Sequence, residues 1–255
     1  MVTSTTADSV FQDEAERIIS AAQQKGIILR LIGALSIRYH IRPRHLENKR
    51  TISDLDFVAL SKQRKQIESL FNGLNYVAYE RFNFVHGHQR LVFFHGESNH
   101  RVDVFFDVFE MCHRFDFRDR LTIDDKTLSV SDLVATKLQI VEINEKDIRD
   151  LFYLFIDNDL ADDDSQKNRI NKKYIAGLCA NDWGIWKTFT MNLDKIQKYL
   201  PEFLSSTDEQ VLVRARLKQL KEDIDAEPKT FAWKMRAKVG EKKQWYTLPD
   251  TRTQM

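Results

Sequence analysis

The chain has 255 residues, 42% of them hydrophobic and 30% charged, which excludes a disordered or collagen-like protein and allows one large domain or two modest ones. Thirty-nine Lys and Arg against 38 Asp and Glu leave a formal net charge of +1, so global charge marks no polyanion binder and any basic surface must be local. No apolar run approaches the roughly 20 residues of a membrane helix, the opening MVTSTTADSV lacks the order of a signal peptide, and Cys112 and Cys179 make no disulfide framework. A cytoplasmic protein with reduced thiols is expected.

Phe11, Ala15, Ile18 and Ala22 recur at helical spacing and predict a helix over 9–24, with Asp8 or Ser9 as cap and Gly26 as exit. Residues 27–32 (IILRLI) suit a buried strand that meets Gly33 and leads into a short helix, ALSIRYHI. Residues 42–50 read as a polar loop, 51–60 as a strand and 62–71 as a helix closed by Gly73. Between Tyr76 and Phe109, YVAYE, FNFVH, RLVFFHG and RVDVFFDVF read as strands, the last two as a hairpin about residues 96–99. Helices follow: DLVATKLQIVEI capped by Ser131, DIRDLFYLFI after Asn144, then 169–180, 183–200 and 207–226. The last opens with the capping-box pattern Thr207-x-x-Gln210 and stops at Pro228. The expected class is α+β, a mixed sheet flanked by helices and followed by a helical C-terminal part. The expected divisions are 1–125, 126–228 and a basic, aromatic tail over 229–255.

Asp54 and Asp56 lie two apart on a predicted strand, so both side chains leave one face, roughly 7 Å apart along it, while Leu55 and Phe57 face a core. Asp103 sits between Val102 and Val104 on a later strand, with Asp107 on its face. Were the strands neighbours, three carboxylates would converge into a cluster suited to Mg²⁺ and substrate phosphates; a lone D-x-D describes outward strand residues equally well. The turn Gly33-Ala34-Leu35-Ser36 between strand and helix could hold a phosphate on backbone N–H groups, or simply turn the chain. Strand, glycine turn, helix, D-x-D and a later single Asp form a more specific order than any one part.

The run LIGALSIRYH…KRTISDLDFVAL…HRVDVFFDVF resembles the DNA-polymerase-β-type nucleotidyltransferase superfamily. Arg50-Thr51-x-Ser53-Asp54-Leu55-Asp56, followed by DLVATKLQIVEINEKDIRDLFYLF, is similar to its AbiEii-like branch, which contains nucleotidyltransferase toxins of toxin–antitoxin and phage-defence systems. The resemblance spans about residues 29–155, and Ala34 stands where that family's turn has a second Gly or Ser. It implies a nucleotidyltransferase fold and a Mg²⁺- or Mn²⁺-dependent enzyme moving a nucleoside monophosphate from an NTP to a hydroxyl. The implied acceptor is RNA, above all a tRNA 3′ end, with a cognate antitoxin as partner. By the same resemblance Asp54 and Asp56 hold metal, and Asp103 is a third ligand or the base. Gly33, Ala34 and Ser36 meet the triphosphate, Lys137 is the cation on the phosphates, and Asp147 is its helical counterpart. A small-molecule hydroxyl such as an aminoglycoside's is the alternative acceptor, and a silent nucleotidyltransferase-fold binding module the alternative class. The reading requires Asp103 close to Asp54 and Asp56, and none of the three buried against a permanent arginine.

Plainer readings stand beside these roles. Lys137, between Val134 and Leu138, could be the surface residue of an amphipathic helix. Asp147 could favour a helix N-terminus, and Asp150 could pair with Lys146 or Arg149. His86-x-His88 could open a zinc site, yet its spacing to His95, His100, Cys112 and His113 matches no standard zinc signature. Arg38, Arg42, Arg44, His45, Lys49 and Arg50 against Glu47 could steer a polyanion or simply be solvated. The tail's Lys234, Arg236, Lys238, Lys242 and Lys243, interleaved with Trp233, Trp245 and Tyr246, suits single-stranded RNA, or a segment that is free or packed on the helices.

Overall fold

The computed structural model of the chain describes residues 4–47 and 52–248; Lys49, Arg50 and Thr51, named above, lie outside the described residues. In chain order the first elements are α1 (Ser4–Gln24), β1 (Leu29–Ile32), α2 (Gly33–Arg38), β2 (Asp54–Ala59), α3 (Arg64–Gly73), β3 (Tyr76–Ala78) and α4 (Glu80–His86). Next come β4 (Arg90–His95), β5 (Arg101–Phe106), β6 (Val108–Glu110), β7 (Arg114–Asp116), α5 (Val130–Leu138) and α6 (Glu145–Asp157). The chain continues with β8 (Asp159–Ala161), β9 (Arg169–Asn171), α7 (Lys172–Asn181), α8 (Trp183–Phe203), α9 (Thr207–Ala226) and α10 (Phe231–Val239). The result is a mixed α+β chain of two compact units. The first comprises Met1–Tyr39, Pro43–Phe109 and Phe115–Ser129, the second His40–Arg42, Glu110–Arg114 and Val130–Met255.

The first unit is built on a five-stranded sheet of order β1-β2-β5-β4-β3, in which only β2 and β5 run parallel. Alternation sorts its faces. Leu29 and Leu31, Leu55 and Phe57, Val102 and Val104, and Leu91 and Phe93 form one buried cluster with Phe11, Ala15, Ile18 and Ala22 of α1 and Ile67, Leu70 and Phe71 of α3. Burying each such side chain is worth about 1.5–3 kcal/mol, which fixes the register and sends the intervening residues to the opposite face. The outer edge of β1 is covered by residues 126–128: Leu31 N donates to Lys126 O at 2.8 Å and Leu128 N to Leu31 O at 3.0 Å.

Several expectations about local structure are corrected here. Helix α1 begins at Ser4, so Asp8 and Ser9 lie inside it rather than capping it. FNFVH is helical because Asn83 clamps the backbone of Val92 through both Val92 N (2.8 Å) and Val92 O (3.0 Å), which outweighs its β-forming composition. RVDVFFDVF is not one strand. Asp107 adopts φ +58° and separates β5 from β6, and its carboxylate accepts from Ser61 N at 3.0 Å, away from Asp103's face.

In the second unit, α5 is buried along its whole length and contains Ser131, whose Oγ accepts from Asn171 N at 2.8 Å instead of capping. The helix stops at Leu138, short of Ile143, where Asn192 Nδ2 donates to both Leu138 O and Ile140 O at 2.8 Å. Asn144 caps α6 through Lys146 N and Asp147 N. The stretch expected to be helical from 169 begins instead as β9, paired parallel to β8. Ser206, not Thr207, caps α9 by accepting from Glu209 N. The tail contributes a further helix, α10, capped by Thr230. No helix among the described residues is long and apolar enough to cross a membrane.

Candidate functional site

The sheet's non-core face carries the acidic motif. In register, Ile32 of β1 pairs with Asp56 of β2, Asp56 with Asp103 of β5, and Asp103 with Val92 of β4. Asp56 and Asp103 are therefore adjacent across the parallel pair, about 4.8 Å between strands, and Asp54 stands one pleat along, opposite Arg101. Asp54 is exposed and accepts from Ser53 Oγ at 3.1 Å; Asp56 is partly buried. Burial chiefly, and then the charges of Asp54 and Asp103, push the Asp56 carboxyl up to about 7 against the opposing pull of Arg90 and Arg101. Strand pairing puts the three carboxylates on one sheet face, Asp56 beside Asp103 and Asp54 one pleat away opposite Arg101.

Asp103 departs from the expected role. It is 1% exposed and gripped by two arginines that sequence reasoning did not single out. Arg90 Nε donates to Asp103 Oδ1 at 2.7 Å, with Arg90 Nη2 at 2.6 Å from the same oxygen. Arg101 Nε lies 2.9 Å from Oδ2, close enough for an ion pair but off the hydrogen-bond direction. Arg90 is further fixed over the rings of Phe105 (4.8 Å) and Phe82 (5.6 Å). Asp103 is adjacent to Asp56 but buried against two arginines, so the account of a three-carboxylate centre with Asp103 as ligand or base fails, and only the pair Asp54 and Asp56 is left to hold a cation. The only signal in the sequence was alternation, which puts Arg101 on the face of Asp103 two residues away.

Gly33 explains the glycine turn. It holds φ +79°, and a Cβ placed there would sit 2.8 Å from Asp56 Oδ2. The carboxylate thus rests directly on the backbone of the turn, a close approach only glycine permits at that φ. Ala34 packs against the core cluster. Ser36 is fully buried and its hydroxyl donates to Gly33 O at 2.6 Å, so it braces the turn from within.

Lys137 and Asp147 belong to the second unit. Lys137 is buried and its Nζ lies 2.7 Å from Asp147 Oδ1 and 2.7 Å from Asp150 Oδ2. The histidines form no site: His86 lies on α4, ring against Phe82, and His113 is buried, its Nε2 2.8 Å from Thr188 Oγ1. Among the described residues no group of three or more His, Cys, Asp or Glu is placed to hold a metal ion. Tested against a divalent cation, Asp54 and Asp56 fit as a pair, with mutual repulsion that such an ion would relieve. Asp103 does not fit, because both its oxygens already face guanidinium groups.

No protein-family model matches the chain, and no curated protein matches it. Among solved structures, the solution structure of the antibiotic-resistance factor ANT(2'')-Ia is similar over 58% of this chain and 82% of its own, with 13% identity and a TM-score of 0.37, too distant to carry an argument about this chain.

Proposed function

We propose that the chain is a nucleotidyltransferase that moves a nucleoside monophosphate from an NTP to a hydroxyl acceptor. One observation carries this reading: Asp56 lies between the glycine turn that touches it and the adjacent strand bearing Asp103, with Asp54 on the same face. In such a transfer the acceptor oxygen bonds to the α-phosphorus, the bond to the bridging oxygen breaks, and pyrophosphate leaves while the hydroxyl proton passes to a base or to water. Asp54 and Asp56 would hold a divalent cation, which supplies positive charge on the reacting phosphate. We assign the positive group on the departing pyrophosphate to Arg90 and Arg101. Both lie on the sheet face of Asp54 and Asp56 and act on the Asp56 charge, whereas Lys137, the cation expected from the sequence, is engaged by Asp147 and Asp150. Asp103 then anchors the arginines; it is neither ligand nor base while they hold it.

The acceptor class is open to one experiment. Each α-labelled NTP is incubated with Mg²⁺ or Mn²⁺ and either total tRNA or an aminoglycoside, using wild type, Asp54→Asn and Asp56→Asn. Carboxylate-dependent label in RNA supports an RNA-modifying enzyme of the toxin kind and would prompt a search for an antitoxin. Label in the aminoglycoside supports a small-molecule enzyme. Transfer to neither, with folding intact by circular dichroism, refutes the reading and leaves a silent binding module.

A further inference from the structure

Residues 232–247 of the basic, aromatic tail contribute to the wall of an open cavity within the second unit. Residues 244–247 return to the start of α8. Thr247 N donates to Cys112 O at 3.0 Å, and Trp245 Nε1 donates to Thr188 Oγ1 at 3.1 Å. A Cβ at Gly184 would lie 2.6 Å from Trp245 O, so the glycine makes room for the strap. Arg236 fastens the other end, donating to Gly240 O (2.7 Å) and Lys243 O (2.6 Å) while its guanidinium covers the Trp183 ring at 4.7 Å. Beneath lies a cavity of about 530 Å³, within the range of small-ligand sites.

Its chemistry is specific in two ways. Indole and phenol rings line it, and they meet edge to face rather than stacking: Trp183 with Trp245 at 83° and Trp245 with Tyr246 at 73°. Trp183 is 6% exposed and its ring is covered by Arg236, so the partly exposed rings of Trp233, Trp245 and Tyr246 are the ones a flat guest can meet. Trp233 lines the cavity and is itself held edge to face on Trp186 at 74°. At the rim stand Arg114 and Lys243, both exposed, against Glu110; the other acid, Asp182, is engaged in capping α8. A flat ring joined to an anionic group matches the aromatic lining and the basic rim.

We propose that this cavity is a nucleotide-binding site, the base held among Trp233, Trp245 and Tyr246 and the phosphate by Arg114 and Lys243. It is separate from the Asp54/Asp56 face and does not depend on the transferase reading. All four tryptophans of the chain, Trp183, Trp186, Trp233 and Trp245, belong to this cluster, so the indole ¹⁵N–¹H signals report on it and on nothing in the first unit. The test titrates ¹⁵N-labelled protein, without divalent metal, with AMP, GMP, CMP and UMP, and with a short single-stranded oligoribonucleotide. The expected result is a saturable shift of the Trp233 indole signal with at least one of them, unchanged in Asp56→Asn. Lys243→Ala, a surface change that should leave folding intact, and Trp233→Phe, read from the Trp245 indole signal that remains, should each weaken binding roughly three- to tenfold. A stronger response to the oligonucleotide than to any mononucleotide identifies an RNA strand as the source; the reverse identifies a free nucleotide. No saturable shift with any probe, an affinity unchanged in both variants, or loss of the shift in Asp56→Asn overturns the proposal.

Discussion

Gly33→Ala separates the contribution of a backbone from that of a contact. Gly33 and Gly26 both hold left-handed backbone, φ +79° and +65°. An alanine at either position bears the Cβ–carbonyl clash of that region, about 1–2 kcal/mol, offset in part by the stiffer unfolded chain. Each variant should therefore lose about 1 kcal/mol, a drop of about 2–4 °C in Tm for a chain of this size. They differ in one respect. Nothing lies within 4 Å of a Cβ at Gly26, whereas at Gly33 it meets Asp56 Oδ2 at 2.8 Å. A carboxylate at the end of a short side chain can turn aside cheaply, so the two stability losses should be similar. The displaced Asp56, however, can no longer share a cation with Asp54, and a shift approaching 1 Å in a positioned group costs up to about 10²-fold in rate. Thermal unfolding by circular dichroism and label transfer from NTP measure the two quantities separately. Gly26→Ala should transfer at nearly the wild-type rate and Gly33→Ala about 10- to 100-fold more slowly. Equal transfer by both variants would refute the claim that the turn positions Asp56.

The raised titration of Asp56 means that the folded chain keeps a proton the unfolded chain releases between its ordinary value of 3.8 and about 7. Stability should fall as pH rises through that window, by at most about 1.4 kcal/mol per unit, and Asp56→Asn should abolish the slope in urea titrations run from pH 4 to 8. Asp103→Asn leaves two guanidiniums without their buried counter-charge and should cost about 3–5 kcal/mol, far more than Asp54→Asn at its exposed position, as read by chemical denaturation. Ser206→Ala should cost about 1 kcal/mol as the loss of a helix cap, and Thr207→Ala only a few tenths; equal effects on Tm would place the cap at Thr207 after all.

The acidic constellation was legible because it rests on alternation. Once Leu55 and Phe57 are committed to the core, Asp54 and Asp56 have one face available, and the same holds for Asp103 between Val102 and Val104. Which strands are neighbours was not written in that pattern, and the parallel pairing of β2 with β5 is a tertiary fact. Two kinds of feature escaped. One is structure imposed by a single side chain at a distance: Asn83 turning FNFVH into a helix, Asn192 ending α5 at Leu138, and Ser131 spent on Asn171 instead of a cap. The other is the choice of ion-pair partner. Arg90 is 13 residues from Asp103 and reaches it only because β4 and β5 pair in one register, while Lys137 read as a free cation until Asp147 and Asp150 came in from α6.

That choice of partners bears on any reading of the chain as a phosphate enzyme, because the two clusters differ in what a phosphate could reach. For Lys137 to meet a phosphate it would have to leave a carboxylate 2.7 Å away, which means disrupting a buried, hydrogen-bonded pair. Arg90 and Arg101 share one carboxylate, and each is 18% exposed while the aspartate between them is sealed. Because arginine presents several donors, it can keep one on Asp103 and offer another to a phosphate oxygen, whereas the Lys137 ammonium already spends its charge on two oxygens. Exposed Asp54 and partly buried Asp56 therefore attract a cation and the arginines attract an anion on one sheet face. A metal–polyphosphate complex is the kind of ligand that satisfies both at once.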